Sequence, residues 1–132
     1  MSQSDVKAVR PLSPHLQIYK PILTMVTSIL QRITGAALYF GMLLVAWWLV
    51  AVASGPAYYD FVSGLFGSII GYLVLFGFTW ALMFHLLGGL RHFLWDTARG
   101  MEKGTRDKIA LANVIGSILL TVVVWIIVLA VA

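Results

Sequence analysis

The stretch "ITGAALYFGMLLVAWWLVAVA", residues 33–53, contains 21 residues and no charged side chain. As an α-helix it would be roughly 32 Å long, enough to cross the ~30 Å hydrocarbon core of a bilayer. Two further uncharged runs follow, 30 residues from Phe61 to Leu90 and 24 residues from Ile109 to Ala132. All three exceed the length expected of ordinary buried helices. The sequence therefore predicts an all-α integral membrane protein with three transmembrane helices.

The composition supports lipid as the solvent. Of the 132 residues, 61% are hydrophobic and 11% are charged, with a mean hydropathy of +0.94. A soluble domain of this size could not bury so many apolar side chains in one small core. There is no cysteine, which excludes structural disulfides, Cys-ligated zinc and Cys-ligated iron–sulfur clusters within the chain. The net charge of +4 indicates a membrane rather than nucleic acid, because the basic residues flank the apolar runs.

We predict one domain over 1–132, with a tail at 1–20 and spans at about 26–53, 61–94 and 107–132. The second run would measure roughly 45 Å, so a single helix there must tilt or project from the bilayer. The tail resembles no cleaved secretion signal. The first link, "SGPAYYD" (54–60), has turn-forming Gly-Pro and two tyrosines suited to an interface.

The second link, "TARGMEKGTRDK" (97–108), carries four of the nine basic residues. Four others lie at the N-terminal side and one at the end of the second run, whereas the first link and the C-terminal end have none. By the positive-inside rule, the N-terminus and the second link are cytoplasmic, and the C-terminus is outside.

Two histidines mark the end of the second run. His85 and His92 are seven residues apart, so they return to nearly the same helix face about 10.5 Å apart. Gly88 and Gly89 have no side chain, so another helix or a flat macrocycle such as haem could approach the backbone there closely. Both readings stay open: a packing notch, or an imidazole that ligates haem iron. Two ligands on one helix face cannot clamp one haem, and His15 lies in the tail, so a second ligand would come from another chain.

Two further features lie near the cytoplasmic interface. We expect Arg91 to snorkel and anchor the rim, although Arg91 or His92 would also suit haem propionates. Ser28 and Arg32 form an i, i+4 pair on one helix face. A hydroxyl and a guanidinium there suit a quinone head group, which needs donors to its carbonyl oxygens and cationic stabilisation during reduction.

Three motifs together resemble the cytochrome b membrane-anchor subunit of succinate dehydrogenase, respiratory complex II. They are "RPLSPHLQIYKP" (10–21), "SILQRITG" (28–35) and "HLLGGLRHFLWD" (85–96). Their order and spacing are similar to those of the family across essentially the whole chain. One position departs, because Gln31 stands where many members have a histidine, and an amide cannot titrate.

The resemblance implies that His85 is the axial ligand of one haem b, shared with a second anchor subunit. It implies that Ser28 and Arg32 form part of a ubiquinone site, and that Arg32 and His92 contact haem propionates. No residue of this chain would be catalytic. A flavoprotein subunit with FAD and an iron–sulfur subunit would oxidise succinate and deliver electrons to the quinone.

The expected location is a bacterial inner membrane, or the mitochondrial inner membrane for a processed form, with no nucleic-acid partner. Two alternatives remain open from the sequence. One is the anchor of a quinol:fumarate reductase, which runs similar chemistry in reverse. The other is a non-enzymatic membrane adaptor or transporter subunit, in which the histidine and glycines serve only helix packing.

Overall fold

The computed structural model describes residues 11–13 and 20–131, and every regular element within them is an α-helix. Helix α1 is Leu23–Ser54, α2 is Pro56–Phe66, α3 is Ile69–Asp96 and α4 is Lys103–Val131. Helices α1, α3 and α4 are long and apolar enough to cross a membrane. The predicted all-α fold with three candidate spans is confirmed, whereas the tail at 1–20, including His15, lies largely outside the described residues.

The second apolar run does not form the single helix predicted at 61–94. Residues 61–66 belong to α2, and α3 begins only at Ile69. Ser68 caps α3, because its side-chain oxygen accepts a hydrogen bond from the backbone N–H of Gly71 at 3.1 Å. A Cβ on Gly71 would collide with backbone carbonyl oxygens at the end of α2. The break therefore divides a run that was too long for the bilayer into one short helix and one span.

The first link is also mostly helical. Only Gly55 separates α1 from α2, and its φ of 107° lies where L side chains are strained. Pro56 then occupies the first position of α2, where its missing N–H has no helical partner to lose. Trp47 donates to the Tyr58 hydroxyl at 2.8 Å, so α2 is tied back to α1 by side chains typical of a membrane interface.

The remaining helix ends lie within a few residues of the prediction. Helix α1 begins three residues before 26 and ends one residue after 53. Helix α4 begins at Lys103 rather than at 107, so the second link is reduced to residues 97–102. Basic side chains of the predicted link, such as Arg106, are therefore carried on the first turns of α4.

Helix α3 packs against both α1 and α4, which also touch each other. Contacts run antiparallel between α1 and α3: Thr27 meets Arg91, whereas Gly41 lies against the ring of Phe78. Most buried residues are small, which lets backbones approach where lipid provides no hydrophobic drive between helices. On α1 and α4 they are Thr27, Thr34, Gly41, Ala51, Ala110, Asn113, Ser117 and Thr121.

Candidate functional site

A polar stripe on α1 faces α3. Thr27, Gln31 and Thr34 are spaced i, i+4 and i+7, which places them on one side of the helix. Both threonine hydroxyls are satisfied locally, because Thr27 donates to the carbonyl of Thr24 at 3.1 Å and Thr34 to that of Leu30 at 2.8 Å. The stripe can therefore be buried against α3 without unpaired hydroxyl donors.

The imidazole of His85 lies against this stripe. Its Nδ1 is 3.2 Å from the backbone oxygen of Gln31 and 3.5 Å from the hydroxyl oxygen of Thr34. A carbonyl oxygen carries no proton, so the short contact is favourable only when Nδ1 carries the hydrogen and donates it. The proton is then assigned to Nδ1, and the lone pair of Nε2 is left for another partner.

Glycine makes room for the ring. A Cβ at Gly35 would lie 3.0 Å from Cε1 of His85, closer than an ordinary contact. Gly89, one turn beyond His85 on α3, has nothing within 4 Å of the place where its Cβ would be. The imidazole therefore packs closely against α1 at Gly35. The backbone of α3 at Gly89 has space beside it for a large neighbouring group.

The side chain of Gln31 completes the contact between the two helices. Its Nε2 donates to the backbone oxygen of His85 at 3.1 Å. It occupies the notch left by Gly88, where a Cβ would overlap the amide oxygen. Gln31 thus places a non-titrating amide directly on the predicted haem ligand.

Ser28 and Arg32 lie on the next stripe of α1, in line with Gly35. Both side chains are exposed, and neither makes a hydrogen bond within the described ranges. Along the helix axis Arg32 is roughly 4.5 Å and Ser28 roughly 10.5 Å from Gly35, toward the end where α1 begins. The structure therefore places both residues on the side where His85 sits, with their polar atoms uncommitted.

Arg91 does not snorkel. It is 4% exposed, its Nη1 donates to the Thr27 hydroxyl at 2.9 Å, and its guanidinium carbon lies 5.0 Å from the ring centre of Trp95. No carboxylate pairs with it in the described part of the chain. The prediction that Arg91 snorkels is wrong, because Thr27 supplies a buried acceptor and Trp95 a π-face for the cation.

His92 has a different environment from His85 although both lie on α3. Its ring is exposed and meets the ring of Trp95 edge-on, with centroids 5.4 Å apart. Among residues 11–13 and 20–131, no group of three or more His, Cys, Asp or Glu could hold a metal ion. A single imidazole with a free Nε2 fits an iron whose four equatorial ligands come from a macrocycle. The donor set at His85 therefore suits a haem.

Comparison with known proteins identifies the family. Residues 7–124 match the family described as Succinate dehydrogenase/Fumarate reductase transmembrane subunit. The chain belongs to this family. It is 43% identical over 118 residues to the succinate dehydrogenase cytochrome b556 subunit of Paracoccus denitrificans, covering 89% of this chain and 91% of that one.

Two further relatives carry similar names. The succinate dehydrogenase cytochrome b556 subunit of Rickettsia prowazekii is 38% identical over 124 residues, or 94% of this chain and 97% of that one. The mitochondrial succinate dehydrogenase cytochrome b560 subunit of Mus musculus is 40% identical over 101 residues, or 75% of this chain and 60% of that one. The predicted family is confirmed, and the chain is a membrane subunit of an enzyme complex rather than an enzyme by itself.

Two contacts at the candidate site were not predicted from the sequence. The spacing of Thr27, Gln31 and Thr34 is readable as one helix face, but nothing in it says which helix that face meets. The pairing of Thr27 with Arg91 and of Gln31 with Gly88 depends on the register of α1 on α3. Residues 64 and 57 positions apart came together only in the folded chain.

Proposed function

We propose that the chain is the haem-binding membrane anchor of a succinate:quinone oxidoreductase, supplying one axial ligand to a haem b and part of a ubiquinone site. The observation that carries the proposal is the fixed imidazole of His85. Its Nδ1 lies 3.2 Å from the Gln31 carbonyl, the arrangement that orients a histidine toward a metal at Nε2.

His85 would hold the iron from one side only. His92 lies on the same helix and is exposed, so a second ligand to the iron would come from a second anchor subunit. When bound, haem supplies a one-electron redox centre within the membrane. Gly35 and Gly89 keep bulk away from the imidazole and from the backbone beside it, and the exposed Arg32 and His92 are the cationic or hydrogen-bonding groups for the propionates.

Ser28 and Arg32 would bind the quinone head group. The serine hydroxyl donates to one carbonyl oxygen, and the guanidinium stabilises negative charge that develops as electrons arrive. Neither side chain is engaged elsewhere in the described ranges, so neither must break an existing bond to serve. Both side chains are exposed beside the α1–α3 contact, where an isoprenoid tail can lie in lipid.

The chain would work in a complex with a flavoprotein subunit that carries FAD and an iron–sulfur subunit. The iron–sulfur subunit would dock at the cytoplasmic side, where α1 begins and α3 ends. That end carries Arg99, Lys103, Arg106 and Lys108, which supports a cytoplasmic N-terminus and an outward C-terminus by the positive-inside rule. The relatives in Paracoccus and Rickettsia support a bacterial inner membrane as the location.

The test uses the complex co-expressed with its partner subunits. His85→Ala should abolish the absorption of a bis-histidine b-type haem. Arg32→Ala should lower quinone reduction by about 10²–10³-fold, while succinate oxidation by an artificial acceptor continues, because only the quinone step loses a stabilising charge. An unchanged spectrum in the His85 variant would remove the ligand assignment. A purified complex with neither haem absorbance nor succinate oxidation would favour a membrane adaptor instead.

A further inference from the structure

We propose that Gln31 is a positioning residue that holds His85 in its iron-binding orientation, and that Gly88 is the notch that allows it to do so. The inference rests on the proposed role of His85 as a haem ligand. It assigns a task to a side chain whose amide oxygen is buried without a hydrogen-bond partner.

The contact between Gln31 and His85 is reciprocal. The backbone oxygen of Gln31 accepts from the ring Nδ1 at 3.2 Å, and the side-chain Nε2 of Gln31 donates to the backbone oxygen of His85 at 3.1 Å. One residue of α1 therefore fixes both the ring and the main chain of the ligand on α3. Two hydrogen bonds between the same residues determine the axial and rotational register of the helices at that level, which a single bond would not.

Gly88 is matched to this side chain. A Cβ there would overlap the amide of Gln31, whereas a Cβ at the adjacent Gly89 would meet nothing within 4 Å. Two neighbouring glycines thus have different tasks. Gly88 receives Gln31, and Gly89 leaves the backbone open on the side of the imidazole.

The amide oxygen indicates that Gln31 serves more than packing. Its Oε1 is buried and has no hydrogen-bond partner, a disfavoured state for a polar atom. Leucine or methionine would fill the notch without burying an unpaired acceptor. The amide nitrogen explains why a glutamine is present. Its Nε2 donates to the backbone oxygen of His85, and leucine or methionine has no such donor.

The experiment compares two substitutions in the assembled, haem-loaded complex. Each is designed to remove the hydrogen bond from Gln31 Nε2 to the backbone oxygen of His85. Gln31→Met keeps the length and volume of the side chain but removes the donor. Gly88→Ala keeps the glutamine but displaces it. Both should change the electron paramagnetic resonance signature of the low-spin ferric haem and shift its midpoint potential. Loss of a supporting partner typically changes metal affinity 10–100-fold, and a tenfold change in the ferric-to-ferrous affinity ratio is about 59 mV for one electron.

A double variant separates positioning from general disruption. In a Gln31→Ala background the notch is empty, so adding Gly88→Ala should produce no further shift in signature or potential. Gly104→Ala, where a Cβ meets nothing within 4 Å, is the matched control and should resemble the unmodified complex.

The outcomes distinguish this inference from the proposed function. If His85→Ala loses the haem but Gln31→Met and Gly88→Ala keep the original signature and potential, the positioning role is wrong and the ligand assignment stands. A Gly88→Ala shift that persists undiminished in the Gln31→Ala background would also overturn it, because the glycine would then act without the glutamine. If His85→Ala keeps its haem spectrum, the proposed function itself fails.

Discussion

Gly35→Ala offers a sharp test of how tightly α1 holds the imidazole. The added Cβ would lie 3.0 Å from Cε1 of His85, whereas carbon atoms in contact prefer about 3.5–4.0 Å. The ring must therefore give by a few tenths of an ångström. A shift away from α1 lengthens and weakens the 3.2 Å hydrogen bond between Nδ1 and the Gln31 oxygen.

The expected magnitude follows from that single bond. A net loss of about 1 kcal/mol corresponds to a roughly fivefold weaker hold on the iron. Alanine inside a helix is favoured over glycine by about 0.5–1 kcal/mol, so the helix itself should gain stability. Haem affinity should fall while the thermal stability of the haem-free assembly holds or rises, a divergence that general damage to the fold would not produce.

The assay measures haem retention per complex on serial dilution in detergent, together with the unfolding temperature of the stripped complex. Gly77→Ala is the matched control, since that glycine is also inside a helix and its Cβ would meet nothing within 4 Å. Its haem retention should equal that of the unmodified complex. Unchanged haem affinity in Gly35→Ala would refute the steric argument, and a parallel fall in both quantities would show that the substitution acts through the fold.

Two predictions concern the frame around the site. Thr27→Val removes the hydroxyl that accepts from buried Arg91 at 2.9 Å and should destabilise the complex by about 1–3 kcal/mol in thermal unfolding. Thr105→Val, at an exposed position, is the control and should leave the stability unchanged. Equal unfolding temperatures for the two variants would contradict the prediction. Gly55→Ala forces a side chain onto a φ of 107° and ψ of 172°, a region essentially reserved for glycine, and should destabilise by about 1–3 kcal/mol. Gly64→Ala, which meets nothing within 4 Å, is its control, and a harmless Gly55→Ala would show that the α1–α2 corner can rearrange.

The burial of Arg91 changes how the basic residues of the chain are interpreted. Counting charges assigned it to the cytoplasmic rim, in the same way as residues of the 97–108 link. Instead it bonds to Thr27 and lies over Trp95 inside the bundle. A charge count along the sequence weighs every arginine equally, but only packing decides whether a guanidinium meets water or a neighbouring helix.

Hydropathy likewise could not predict the break in the second apolar run between α2 and α3. Gly67 and Ser68 lie between apolar residues, and uncharged length alone does not distinguish a long tilted helix from two shorter ones. Ser68 caps α3 and Gly71 permits the close approach of the α2 carbonyls. Capping depends on backbone geometry at two or three residues, which the average over a long window conceals.

The order and number of the long helices were determined by the sequence alone, because every backbone polar group in lipid must be paired within its own segment and an uncharged run of 20 or more residues leaves the helix as the solution. The motifs likewise identified the family and singled out His85, Ser28 and Arg32. Tertiary structure alone decided which atoms of those residues are engaged. The register between α1 and α3 is determined by side chains that interlock across the two helices, Gln31 in the space of Gly88 and Thr27 on Arg91. Such contacts arise from the fit of surfaces far apart in the chain, so periodicity within either helix does not contain them.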